Sequence, residues 1–297
     1  MPITRVAQVP FLPRHDHVYQ FLRGRGSAGL FVDVGAASGE ISLRIAQDAA
    51  QVVAFEPFPN NAKLFRKRLK NCPRVSLVEK AVSNRRGRTT FFVDSTVQGD
   101  EKGWSDQVGY SSLGRIPTTF LGTMKSYALV GMAALRRRRG ATILRVDTTT
   151  LDFELGEKVI DFLKVDVQGA ERRVLEGAKA ALGSQRIRLI YIEWFGDPVV
   201  ERRLEDAGYS LFDSMYIGSG SPKARSEFEC NGFEVIGSVP LSIGQPALEM
   251  VYRGTDPDIG LILRNLNNRG HFIQTDLVGL PEKDAPEFLE FLRASQL

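Results

Sequence analysis

The chain is poor in the residues that usually announce a metal or a disulfide. It has two cysteines, Cys72 and Cys230, and three histidines among 297 residues. The cysteines form no metal-ligand spacing, so they are expected as free thiols of a reducing, cytoplasmic compartment. His15 and His17 make an H-x-H pair, but His271 is remote and no cysteine is near, so surface polar residues are expected there rather than a metal site. Net charge is also scarce. Against 39 basic residues stand 35 acidic ones, and a balance of +4 does not argue for nucleic acid without a clustered basic face. No run approaches the ~18 apolar residues of a spanning helix. The opening MPITRVAQVPFLPRHDH has no apolar h-region, so no secretory signal is expected. What remains is 43% hydrophobic, enough for one large α/β domain or two small ones.

The most informative stretch is Leu30–Glu40, LFVDVGAASGE. Leu30, Phe31, Val32 and Val34 read as a buried strand. A small-residue turn follows, and Ile41, Ile45, Ala46 and Ala49 recur at helical spacing. In α/β proteins such a turn lies at the carboxyl end of the first strand, where ligands bind. A dinucleotide fingerprint needs glycine at its first, third and sixth positions, and here those are Gly35, Ala37 and Glu40. A P-loop needs Gly-Lys-Ser/Thr, and here Gly39 precedes Glu40. The turn therefore suits a nucleoside without phosphate, or is a plain strand–helix turn.

A second strand, Gln51–Glu56, ends in an acid about 20 residues past the turn, the offset at which a carboxylate meets ribose hydroxyls. Phe58 follows, placed to pack on a base or to sit in the core. Asn60–Lys70 reads as a helix with Ala62, Phe65 and Leu69 inward, and Val75–Val82 as a third strand. Residues 94–145 break the rhythm with a long polar loop, an apolar helical stretch at Phe120–Leu135 and the run Arg136–Arg139. Next, Asp161–Val165 reads as a strand ending in Asp166, and Gln168-Gly169 turns the chain into a helix near Glu171. Ile187–Ile192 is a further strand, followed by Glu193, Trp194 and Phe195. Ala247–Tyr252 is expected to close the sheet, and 254–297 to hold two helices. The last helix carries Phe288, Phe291 and Leu292 on one face, for docking on the domain or on a second copy in a homodimer.

The stretches FVDVGAASGE, VVAFEPFPNN, EKAVSN, TTTLDFEL, IDFLKVDVQGAERRVLEGA and IRLIYIEWF resemble the FkbM family of S-adenosylmethionine-dependent methyltransferases. The resemblance covers roughly residues 27–215, with 95–140 as a poor fit. The family usually has Glu at the position of Gln168. The resemblance implies an α/β class I methyltransferase fold: a Rossmann-like, mainly parallel sheet with an antiparallel last strand and helices on both faces. It also implies S-adenosylmethionine as cofactor and O-methylation of a hydroxyl on a sugar, polyketide or related small molecule. Asp33, Gly35, Ala36, Ser38 and Gly39 would line the methionine and ribose portion. Glu56 would hold the ribose hydroxyls, Phe58 and Ala81 would neighbour adenine, and Asp166 would lie near the methionine end and the acceptor.

A hydroxyl nucleophile must lose a proton, so a carboxylate at the sheet edge, Asp166 or Glu193, is the expected catalytic base. The same two carboxylates suit Mg²⁺, a role ranked behind the base, and no metal site is predicted. Trp194 and Phe195 suit a sugar ring or the core. Lys164, two residues before Asp166, shares its strand face. The expected layout is an N-terminal extension over 1–26, a methyltransferase domain over 27–253 with 95–140 as an inserted substrate lid, and a helical extension over 254–297. Two other functions compete. One is a non-catalytic cofactor-binding module, to which Gln168 points. The other is an NAD-dependent oxidoreductase, against which Ala37 and Glu40 argue.

Overall fold

The computed structural model describes residues 15–26, 29–94, 141–239, 246–256 and 258–294. The inserted lid, the Phe120–Leu135 helix and the Arg136–Arg139 run lie outside the described residues, as do the side chains of His15 and His17. Along the chain the elements are α1 (His15–Gly24), β1 (Leu30–Val34), α2 (Glu40–Ile45), β2 (Gln51–Phe55), α3 (Pro59–Leu69), β3 (Val75–Val78), β4 (Ala81–Val82) and β5 (Gly87–Asp94). Then come β6 (Ala141–Thr149), α4 (Leu151–Leu155), β7 (Phe162–Val165), α5 (Glu171–Glu176), α6 (Lys179–Gly183), β8 (Ile190–Trp194), α7 (Pro198–Asp206) and β9 (Tyr209–Asp213). The series closes with β10 (Tyr216–Gly218), α8 (Pro222–Cys230), β11 (Phe233–Val239), β12 (Ala247–Tyr252), α9 (Ile259–Asn268), β13 (Ile273–Pro281), a 3₁₀ turn at Glu282–Asp284 and α10 (Ala285–Ala294). The result is an α/β protein that divides into two compact units.

One unit comprises Gly29–Lys158 and Lys164–Ala181. Strands β1, β2 and β3 pair in parallel. All five residues of β1 are buried, as a strand covered on both faces requires, so its sequence is apolar on both faces apart from Asp33 rather than an alternation. The Asp166 N–H donates to the Val34 carbonyl, which brings the end of β7 beside the end of β1. Pro59 opens α3, where its missing N–H costs nothing, and Ala62, Phe65 and Leu69 are buried as expected. The single strand expected over Val75–Val82 is two. β3 pairs with β2, whereas β4 pairs with β6 in a separate three-stranded sheet. Strands β5 and β6 form a long antiparallel hairpin, in register from Gly87 opposite Thr148 to Asp94 opposite Ala141.

The other unit comprises Met1–Ala28, Val159–Leu163 and Leu182–Leu297. Here β13 runs antiparallel between β8 and β9. This corrects the expected closing strand. Ala247–Tyr252 is a strand, but it pairs with β10 and β11, and the antiparallel partner of β8 comes from 254–297. That segment holds the two expected helices, α9 and α10, with a nine-residue strand between them, so it is not a helical extension. The strand IQTDLVGLP hides from pattern reading because its polar half, a glycine and a proline break the alternation. Helices α1 and α10 share a core: the Phe21 and Phe288 rings lie 4.9 Å apart, and Phe212 and Phe288 5.1 Å apart.

Candidate active site

Three chain turns meet at the carboxyl ends of β1, β2 and β7, and two buried glutamates fix them. Glu56 follows β2. Its Oε2 accepts from the Ala37 N–H at 2.9 Å and its Oε1 from the Phe58 N–H at 2.8 Å. One carboxylate thus ties the turn after β1 to the turn after β2. Glu171 acts alike on the third turn, with Oε1 accepting from the N–H groups of Val167 at 3.2 Å and Gly169 at 3.0 Å. Both side chains are buried, and burial pushes each pKa up to about 7, against the lowering effect of those N–H donors. The negative charge of Asp166 adds to the rise at Glu171.

A buried ionic group lies beneath these turns. Asp33 is fully buried on β1, and its Oδ2 accepts from the Ser42 hydroxyl at 2.7 Å. Its Oδ1 makes no hydrogen bond but lies 3.2 Å from Lys164 Nζ. That ammonium also donates to the Gly35 carbonyl at 2.9 Å and stands 3.7 Å from Asp166 Oδ2. Gln168 adds a hydrogen bond from Nε2 to Asp166 Oδ1 at 2.8 Å, and holds the left-handed φ of 55° that is uncommon outside glycine. The Asp166 side chain is 42% exposed, which leaves it open to a reacting molecule.

The expected cofactor residues divide by exposure. Gly35, Phe58 and Asp166 are half-exposed at the strand ends, together with Ala37, Val167 and Gln168. Asp33, Ala36, Ser38, Gly39, Glu56 and Ala81 are buried. Asp33 therefore supports the crevice through Lys164 instead of lining it. Ser38 accepts from Arg68 Nη1 at 2.6 Å, and the Ala36 N–H donates to the Phe55 carbonyl. Gly35 is required by the fold: a Cβ there would sit 1.8 Å from the Asp166 carbonyl oxygen. Gly39 leaves room for the Phe65 ring, 2.6 Å from where its Cβ would be. Phe58 and Ala81 pack in one apolar cluster with Phe91, Val146 and Ala170.

Glu193 is a residue of the other unit. It lies buried on β8, opposite Asp276 of β13, whose carboxylate accepts from the Tyr191 hydroxyl at 2.6 Å. Trp194 is 1% exposed, with Nε1 donating to the Asp197 carbonyl, so it is a core residue. Phe195 is half-exposed and meets Phe272 edge-on at 6.1 Å. Among the described residues no group of three or more His, Cys, Asp or Glu side chains is arranged to hold a metal ion. No described helix is long and apolar enough to cross a membrane. Pattern reading missed Glu171 as a site residue. Its signal was present, since an acid in the first turn of a helix is placed to bind the N–H groups ahead of it.

The donor set suits a cationic nucleoside without phosphate. Asp166 is the half-exposed acid at these turns, the Phe58 ring beside them is half-exposed, and Glu40 occupies the helix start that a phosphate would need. Residues 33–211 match the family model described as the methyltransferase FkbM domain. The chain belongs to the FkbM methyltransferase family. It is 31% identical over 180 residues to the 2-O-methyltransferase NoeI of Sinorhizobium fredii, an alignment that covers 59% of this chain and 67% of that protein. Among solved structures it is similar to methyltransferase FkbM from Methylobacillus flagellatus KT, with a TM-score of 0.40 and 12% identity over 75% of this chain. The chain spans 43% of that structure's length. It is also similar to precorrin-6y C5,15-methyltransferase from Geobacter metallireducens GS-15, with a TM-score of 0.37 and 10% identity over 94% of this chain and 100% of that one.

Proposed function

We propose that this protein transfers a methyl group from S-adenosylmethionine to a hydroxyl of a small-molecule acceptor, a sugar, polyketide or related compound. The observation that carries the reading is Glu56, which joins the turns after β1 and β2 at the offset where a ribose is held. The 2-O-methyltransferase relative supports oxygen as the methylated atom. When bound, the cofactor supplies an electrophilic methyl group. Glu56 accepts from the ribose hydroxyls with the lone pairs that its two N–H donors leave. Phe58 and the apolar cluster around Ala81 receive the base. Asp166 takes the proton of the acceptor hydroxyl, as the carboxylate open to solvent at the crevice. Lys164 and Gln168 hold Asp166, and Asp33 balances the buried ammonium. Glu193 remains a second candidate for the base. Much of the acceleration comes from holding nucleophile and methyl group in line.

Calorimetry with S-adenosylhomocysteine tests the cofactor assignment, and absence of binding would sink it. Asp166→Asn should keep that affinity and lose methyl transfer by about 10²-fold or more, the usual contribution of a base. Transfer at the parental rate by this variant would move the base to Glu193.

A further inference from the structure

Arg85, Arg86, Arg88 and Arg173 converge on a cleft of about 640 Å³, with Asn84 and Thr148 among its other lining residues. The cleft lies at the base of the β5–β6 hairpin, where Gly87 faces Thr148. Among the described residues no carboxylate lines it. In a chain with 35 acids against 39 bases, four guanidinium groups around one concavity, with no acid among its described lining residues, are not a product of composition. Their mutual repulsion is a cost that an anion would remove.

Arg86 and Arg88 are each held by a neighbour. The Arg86 guanidinium lies 3.6 Å from the centroid of the exposed Phe153 ring, a cation–π contact. Arg88 Nε pairs with Asp147 at 3.2 Å, an exposed and therefore weak bond that leaves both of its terminal nitrogens outside this pair. Asn84 is fixed through its Nδ2 to Glu176 at 2.9 Å. Guanidinium forks match oxyanions two N–H groups at a time, and a concave wall of one charge focuses its field on what enters.

We propose that this cleft binds a doubly charged oxyanion, phosphate or sulfate, as the free ion or as a monoester. None of its lining residues is a cofactor candidate, and S-adenosylmethionine carries no phosphate. The inference therefore stands independently of the methyl-transfer reading. The full chain is titrated at low ionic strength with inorganic phosphate, with sulfate and with methyl phosphate, each with and without saturating S-adenosylhomocysteine. Saturable one-site binding is expected, weakened by about tenfold or more in Arg85→Gln/Arg173→Gln, the loss expected for charge-assisted contacts. Tighter binding of methyl phosphate than of inorganic phosphate would point to an ester, and the reverse to the free ion. Should the double variant unfold by circular dichroism, Arg88→Gln, whose only pair is exposed among those described, gives the same reading with a smaller loss. Absence of saturation, equal affinity in the folded variants, or displacement by S-adenosylhomocysteine would overturn the proposal.

Discussion

At the scale of single residues, Glu56 and Glu171 perform one task in two places. Each is a buried carboxylate on two turn N–H groups, and each titrates near neutrality. The folded pKa of about 7 lies above the ordinary 4.5, so the folded chain holds these protons more tightly than the unfolded one. Their contribution to stability is complete below pH 4.5 and is lost as pH rises through about 7, by roughly 3 kcal/mol each at 1.36 kcal/mol per unit. Glu56→Gln, a neutral mimic, should therefore gain stability relative to the parent between pH 5 and pH 8 in urea titrations. A constant difference would contradict the burial argument. Ribose hydroxyls donate to the ionised form, so affinity for S-adenosylhomocysteine should fall as pH drops below about 7 in the parent, and the fall should vanish in Glu56→Gln. Gln168 gives a second case. Its amide donates to Asp166, and a carboxylate in its place would repel it. Gln168→Glu should shift the acidic limb of the rate profile upward, read from kcat/KM against pH. Glu56 was legible in the sequence because its offset from the turn is a chemical rule. The role of Glu171 went unread although it is an acid in the first turn of a helix, because nothing in the sequence singles it out from the many first-turn acids that stay in solvent. The burial of Asp33 was illegible too, since it depends on Lys164 arriving from 131 positions further along the chain.

At the scale of elements, β1 and β7 touch through their backbones. The Gly35 turn has φ 80°, and its missing Cβ makes room for the Asp166 carbonyl. Gly35→Ala must meet that carbonyl at 1.8 Å, with no flexible side chain to give way. It should cost on the order of 3 kcal/mol or more, the scale of strained backbone combined with overpacking. Thermal melting would show it, and a fall in Tm under a few degrees would mean that the turn can relax. The sequence declared β1, β2, β7 and β8 because each is a short run dominated by apolar and β-branched or aromatic residues. It concealed β10, β11 and β13. The first is three residues long, the second is an edge strand with a register shift between Val235 and Gly237, and the third mixes polar and buried halves. The third strand of the reading split in two because Glu79 and Lys80 turn the chain between sheets, which apolar content alone does not reveal.

At the scale of the whole molecule, the two ends of the chain share one core. Phe21 of α1 meets Phe288 and Phe291 of α10, and Phe288 also meets Phe212 of β9. Phe288 is fully buried, so Phe288→Ala should cost about 3–5 kcal/mol. Limited proteolysis should then cut near both ends together, and cutting at the C-terminus alone would show that α1 holds without its partner. Apolar spacing revealed the last helix, but it does not say that this helix packs on one at the other end of the chain. The β5–β6 hairpin carries a different consequence. Residues 95–140 leave and rejoin it through Asp94 and Ala141, a cross-strand pair whose Cα atoms in such ladders are about 5 Å apart. A host with one narrow doorway can exchange its guest without redrawing its own walls. A reporter domain with neighbouring termini could thus be spliced in at the same point.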